Sequence, residues 1–408
     1  MTIKPGDVQV PPQPERAAAA RVVAGQGRGW RPLTIAMVGQ KGLPATMGGV
    51  EKHVEEVGSR LAARGHEVIV FCRSSYGSSP HQSYRGMTLL GAPTIGTKHL
   101  DAIVHSATST WQALARRADV VHYHALGPGL MAPMPRYLSR AAVVITVHGL
   151  DHQRDKWQAP ARAVLGAAHW MSGRVPNHTV VVSRDLGAHY AEHFRKPVTV
   201  IPNGVPTPVL TEGSDFVRSL GLVPGEYALF VGRLVPEKRP DLLIRAALSS
   251  DRIRQVAIVG DSSFTEGYTL GLRELAAGDP RIVFPGFVGG RELEEVFQRA
   301  GVFVQPSDLE GLPLTLLEAI ANRTPVLASD IAPHLEILGA GSPAHRTFAR
   351  GDVGSLRTQL EQMLAGVPAG SGDDLRDRVL EDYSWDAAVD KLEELYVRAA
   401  GNRPRRAP

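Results

Sequence analysis

The chain has 408 residues, 43% apolar and 21% charged, with a formal net charge of +4. That composition supports two or three globular domains with sizeable cores, and the scattered basic residues argue against a nucleic-acid partner. The single cysteine, Cys72, excludes an internal disulfide and a cysteine-based zinc site.

Residues 1–30 are rich in Pro, Ala, Gly and Arg without an apolar period and read as a disordered tail. Their alanine run is interrupted by Glu15, Arg16 and Arg21. No apolar run of about 18 residues follows anywhere, so neither a signal peptide nor a membrane span is expected, and the chain reads as cytoplasmic. From Leu33, LTIAMVG predicts a buried strand, VEKHVEEVGSRLAARG an amphipathic helix ended by Gly65, and HEVIVFCR a second strand holding Cys72. This is a βαβ unit. The strands DVVHYHA, AAVVITVHG, HTVVVS and VTVIPNG continue it, separated by helical or loop segments.

The alternation restarts at YALFVGR. Strands VAIVGD, RIVFPGF, VFVQPS and PVLASD follow, with RPDLLIRAAL, RELEEVFQRAG and LPLTLLEAIANR as helices between them. Two successive βα series predict an α/β protein of two doubly wound, Rossmann-like parallel-sheet domains facing across a cleft. The domains are expected over 31–207 and 208–382, joined through the Pro- and Gly-containing segment 204–225. A helix over 383–400 follows, with Trp385, Val389, Leu392 and Leu395 at helical spacing, then a basic tail over 401–408.

In open parallel sheets ligands bind outside the carboxyl ends of the strands, and the polar clusters of this chain fall there. Gly48 and Gly49 follow the first strand, His148 ends AAVVITVHG, Arg233 ends YALFVGR, and Glu310 follows VFVQPS. Arg233 and Lys238 suit a diphosphate, as do the free amides of a helix beginning within Gly311, Leu312, Pro313, Leu314 and Thr315. Gly311 would let the backbone approach a ligand closely. Glu310 and Glu318, about two helical turns apart, suit two sets of vicinal hydroxyls, one on a sugar and one on a ribose. Either acid alone reads equally well as a helix cap or a solvated side chain; the combination with the basic pair points to a site. His122 and His124 share a strand face, which invites a metal, but without further acid ligands they read as a polar strand end, and no metal is expected.

Six motifs in this order resemble one family: GLPATMGGVEKHVEEV, VHG at 147–149, IPNGV at 201–205, VGRLVPEKRP, PGFV at 285–288, and the E-x7-E pair Glu310 and Glu318. From Leu33 to about Tyr396 the chain resembles a GT-B-fold glycosyltransferase of the large retaining family 4 group. The resemblance implies transfer of a sugar from a nucleoside diphosphate with retention, no metal and no other cofactor. It implies that Arg233 and Lys238 bind the diphosphate, the backbone at Val288 the base, Glu318 the ribose and Glu310 the donor sugar. The Gly48–Gly49 loop and His148 would close over sugar and acceptor, and the closing helix would cross back to the first domain.

A uridine diphosphate sugar is the first expectation for the donor and guanosine diphosphate mannose the second, since no side chain in PGFVGGRELEE reads the base. The loop at GLPATMGGVEKHVEE resembles those of bacterial enzymes of surface polysaccharide and glycoconjugate synthesis, which implies a glycan, lipid-linked or small-molecule acceptor. Lys41, Lys52, Arg60 and Arg64 would offer a basic surface for peripheral membrane contact. A nicotinamide dehydrogenase is disfavoured, because Gly39, Gly42, Gly48 and Gly49 do not form G-x-G-x-x-G, and a kinase or ATPase lacks its Gly-Lys pair. A sugar-nucleotide epimerase or phosphorylase of the same fold, and a non-catalytic sugar-nucleotide-binding subunit, remain the alternatives. The oligomeric state is left open.

Overall fold

The computed structural model describes residues 31–45, 48–73, 81–94, 100–150, 159–194, 196–262 and 266–401; the expected tail 1–30 and residues 402–408 lie outside these. The strands form two sheets.

The first sheet contains β1 (Thr34–Val38), β2 (Glu67–Arg73), β3 (His81–Tyr84), β4 (Met87–Ala92), β5 (Val120–His124), β6 (Ala142–Val147), β7 (His178–Val181) and β8 (Thr199–Val200), in the order β3-β4-β2-β1-β5-β6-β7-β8. All its pairings are parallel except β3 with β4, an edge hairpin that the sequence reading did not anticipate. The second sheet contains β9 (Tyr227–Val231), β10 (Gln255–Val259), β11 (Ile282–Gly286), β12 (Val302–Gln305), β13 (Val326–Ser329) and β14 (His345–Phe348), in the order β11-β10-β9-β12-β13-β14.

Helices connect the strands of the first sheet: α1 (Gly49–Ala63), α2 (Leu100–Ala115), α3 (Pro133–Leu138), α4 (Ala159–Ser172) and α5 (Arg184–Phe194). α6 (Asp215–Ser219) lies between the sheets. In the second half come α7 (Pro240–Leu248), α8 (Glu266–Ala276), α9 (Gly290–Gln298), α10 (Leu314–Ala321), α11 (Ala332–Leu338), α12 (Val353–Leu364), α13 (Asp373–Asp382) and α14 (Trp385–Gly401).

The central strands bury both faces, so their apolar residues run continuously and divide by twos between two layers. In β1, Ile35 and Met37 join the core formed with Val54, Val57 and Leu61 of α1, while Ala36 and Val38 join the layer on the opposite face. β9 divides likewise, Ala228 and Phe230 to one side, Leu229 and Val231 to the other.

α14 does not stay with the second sheet. Trp385, Val389, Leu392, Leu395 and Tyr396 are buried in the core of the first, against α1. Each such side chain contributes about 1.5–3 kcal/mol on burial, far more than the ion pairs at the helix edge. There Arg60 binds Asp386 (2.8 Å), and Arg64 binds Asp390 (2.7 Å) and Glu393 (2.6 Å). These pairs correct one expectation: Arg60 and Arg64 hold the crossover helix rather than forming a basic outer surface.

Candidate active site

The cleft between the sheets holds a cavity of about 550 Å³. Its lining includes Gly48, Gly49, His148, Arg233, Lys238, Val288, Glu310, Gly311, Leu312, Leu314, Thr315 and Glu318, so every residue the sequence nominated lies on it. Lys41 and Lys52 line it too, and therefore point into the cleft instead of outward. They come together because β1, β6, β9 and β12 all end at this level, and the turns after them project into the gap.

Glu310 is the most tightly held group. Its Oε1 accepts from Lys238 Nζ (2.7 Å), Gln305 Nε2 (2.8 Å) and Ser307 Oγ (2.7 Å). Burial works against its charge, but Lys238 and these donors outweigh it and hold the carboxyl down at about 2. Gln305 is itself fixed by Thr315, whose Oγ1 donates to Gln305 Oε1 (3.0 Å). The sequence reading missed Gln305 and Ser307. Their signal was a polar pair two residues apart at the end of an otherwise apolar strand, which places both on one side.

Glu318 stands differently. Burial pushes its carboxyl up, Lys52 across the cleft pulls it down, and the net shift is upward. Among the described residues no hydrogen-bond donor reaches this carboxylate, so it can accept from a ligand.

Pro313 sits at the cap position and α10 begins at Leu314, within the stretch Gly311–Thr315 expected to open it. The close approach at Gly311 is real, but its partner is protein. A Cβ there would lie 1.9 Å from the backbone oxygen of His148. A Cβ on Gly49 would lie 3.3 Å from Leu314 Cδ1, so the domains nearly touch at two places beside the cavity. Gly48 caps α1 at φ 111°, a conformation for which glycine is suited.

The first-domain wall is built from histidines. His53 on α1, His124 at the end of β5 and His148 after β6 have ring nitrogens within 4.8 Å of one another. His53 Nδ1 donates to Asn203 Oδ1 (2.6 Å), leaving Nε2 with a free lone pair. Both nitrogens of His124, and Nε2 of His53 and of His148, are buried without a hydrogen-bond partner among the described residues. His122 behind them is satisfied by Thr146 (2.7 Å) and by the Tyr396 hydroxyl of α14 (2.6 Å). Burial lowers His53 to about 4 and His122, His124 and His148 well below the ordinary imidazole range, so all four are neutral. His53, His124 and His148 are the set that could hold a metal. Tetrahedral zinc, with bonds of about 2.0–2.1 Å, draws nitrogens to about 3.4 Å apart, so this set would have to contract around an ion.

Among the described residues no helix is long and apolar enough to cross a membrane.

Two family models match the chain: Glycosyltransferase Family 4 over residues 47–208 and Glycosyl transferases group 1 over residues 218–369. A D-inositol 3-phosphate glycosyltransferase of Acidothermus cellulolyticus is 31% identical over 360 residues, covering 78% of this chain and 80% of that protein. Among solved structures, sucrose-phosphate synthase from Thermosynechococcus elongatus aligns with a TM-score of 0.78 at 22% identity, over 91% of this chain and all of that one. Anabaena HepE in complex with UDP-glucose aligns with a TM-score of 0.71 at 16% identity, over 89% of this chain and 99% of that one. At these identities the two structures bear on the fold alone.

Proposed function

This chain belongs to the family 4, group 1 glycosyltransferases of GT-B fold, and from that premise we propose that it transfers a sugar from a nucleoside diphosphate to a glycan, lipid-linked or small-molecule acceptor with retention at the anomeric carbon. A uridine diphosphate sugar is the first choice of donor and guanosine diphosphate mannose the second. The observation that carries this reading is the single cavity in which Arg233, Lys238, the start of α10, Glu310 and Glu318 face His148 of the other domain.

The chemistry follows from where the charges sit. Departure of a nucleoside diphosphate leaves negative charge on its phosphate oxygens, for which Arg233, Lys238 and the amides at the start of α10 are the available donors. Lys238 reaches those oxygens while still close to Glu310. Ionised Glu310 then lies where it can accept from sugar hydroxyls and stabilise positive charge developing at the anomeric carbon. Glu318, with no donor of its own, takes the ribose hydroxyls. Neutral His148 accepts or donates at the sugar from the opposite wall. The cations supply the stabilisation of the leaving group, so transfer needs no metal. The acceptor enters from the first domain, in the cytoplasm, with peripheral contact at the inner membrane face when it is lipid-linked. Anabaena HepE, a neighbour in fold, binds UDP-glucose, a member of the donor class chosen here. The GLPATMGGVEKHVEE loop supports a place in bacterial polysaccharide or glycoconjugate synthesis.

The test is thermal stabilisation by a panel of nucleoside diphosphate sugars, with added metal and with chelator, followed by NMR of the product anomer. Selective stabilisation by one donor, unaffected by chelator, and an anomer matching the donor's are expected. Inversion would overturn the retaining assignment. Stabilisation only with metal would overturn metal independence.

A further inference from the structure

Away from the cleft, α2, α3 and α4 cover one face of the first sheet. They pack against each other through the short 3-10 turn Pro128–Met131, and Ala113, Ala132 and Ala168 enter the core layer opposite α1 and α14. Their outer side carries Trp111 (67% exposed), Tyr137 (70%), Leu138 (74%) and Trp170 (52%). Single exposed apolar residues are ordinary, but these four all stand in the last turns of three neighbouring helices, where exposed large residues mark an interaction surface.

The charge of this face is one-sided. Among the described residues from 102 to 184 the only acid is Asp119, and it is bound by Arg31 (2.7 Å). Arg116, Arg117, Arg140 and Arg174 are exposed there with no acidic partner among the described residues, and the Arg174 guanidinium lies 4.8 Å from the centre of the Trp170 ring. By contrast, Arg60 and Arg64 on the opposite face are bound by acids of α14.

We propose that the outer face of α2, α3 and α4 docks the enzyme on an anionic lipid surface, with Trp111, Tyr137, Leu138 and Trp170 entering the headgroup region and the arginines meeting lipid phosphates. Tryptophan and tyrosine favour the boundary between headgroup and chain, and arginine lays an apolar stem along it while keeping its charge in the polar layer. The two described acids on or beside these helices, Asp101 and Asp119, are each bound by an arginine, Arg73 and Arg31, so little free negative charge opposes an anionic surface. This rests on the proposed membrane-bound acceptor for its purpose, and on exposure and charge for its place.

The full-length protein is sedimented with vesicles of phosphatidylglycerol and phosphatidylcholine, and with phosphatidylcholine alone. Binding to the anionic vesicles only, weakened by salt, is expected. Trp111→Ser with Trp170→Ser should lower partitioning at least about tenfold, and Arg116→Glu with Arg117→Glu at least about twenty-five-fold, at about fivefold for each of the two positive charges removed. Arg218→Glu with Arg252→Glu, on the other half of the molecule, should change it little. Melting curves and stabilisation by the donor are recorded for every variant, so that loss of folding or of the transferase reading is seen separately from loss of docking. Wild-type protein left in solution with anionic vesicles would overturn the proposal. So would equal binding by the tryptophan variant, or a dimer in solution that Trp111→Ser dissociates, since that would make the face a contact between copies.

Discussion

The two walls of the cleft are built on opposite electrostatic principles. On the second-domain wall, charge is already committed: Lys238, Gln305 and Ser307 converge on one oxygen of Glu310 and keep it ionised. On the first-domain wall, His53, His124 and His148 are buried and neutral, and four of their ring nitrogens lack a partner. Fixed charges in a water-poor cleft need no reorganisation as charge develops in a ligand. Unsatisfied neutral groups do the reverse, since each holds a desolvation penalty that a ligand or water can relieve. The second wall is thus prepared for a charged leaving group, whereas the first is prepared to adapt to what enters.

Glu310→Gln strikes hardest at the charged wall. The shape is kept, the charge is lost, and an amide is placed against Lys238 and Ser307. Turnover should fall by about a hundredfold to a thousandfold, while stabilisation by the donor changes only a few-fold. Turnover equal to wild type would show that the charge of Glu310 plays no part in the chemistry.

Lys238→Ala tests the same wall from its other partner. Removing one member of a buried pair leaves the other uncompensated, at about 3–5 kcal/mol. Donor binding should weaken with it. In the wild type, the folded carboxyl sits at about 2 against an ordinary value of 4.5. The pair's contribution is therefore complete above about 4.5 and lost as pH falls through about 2. Without Lys238, burial dominates and Glu310 takes a proton at higher pH. The acid limb of the pH–rate profile should move upward accordingly. An unmoved limb would mean that another group controls it.

Gly311→Ala addresses the contact between the walls. The added Cβ would meet the His148 oxygen at 1.9 Å, a backbone atom that cannot rotate away. The domains must separate by a fraction of that distance, which should lower kcat about tenfold to a hundredfold through misplaced reacting groups. Each domain's core is untouched, so the melting temperature should change little. Unchanged kcat would show that the cleft works in a more open form.

Much of this was legible in the sequence because strand ends and their turns are local features. Apolar runs marked β1, β9 and β12, and counting forward from them located Arg233, Glu310 and the start of α10. The supports of those residues were less legible. Gln305 and Ser307 acquire meaning only when Lys238, far away in sequence, folds onto the same carboxylate. The His53–Asn203 bond joins residues 150 positions apart, and no spacing rule predicts it. Gly311 showed that the backbone was approached closely without showing by what. Arg60 and Arg64 read as a basic helix surface until α14 brought Asp386, Asp390 and Glu393 against them.

The gentlest test sharpens the first wall and depends on pH. Burial holds His53 at about 4 in the fold, against an ordinary imidazole value of 6.5. Below 6.5 the unfolded chain therefore takes up a proton that the folded chain refuses, and stability falls as pH drops from 6.5 towards 4. By pH 5 this amounts to about 2 kcal/mol from His53 alone, at about 1.4 kcal/mol for each pH unit. His53→Gln keeps a donor able to face Asn203 and removes the titrating group. The variant should match the wild type near pH 7 to within about 1 kcal/mol, and lose about 2 kcal/mol less than it between pH 7 and pH 5. Urea midpoints at the two pH values measure this. Parallel losses in both proteins would mean that His53 takes up its proton as readily in the fold as in the unfolded chain, so that burial does not hold it neutral.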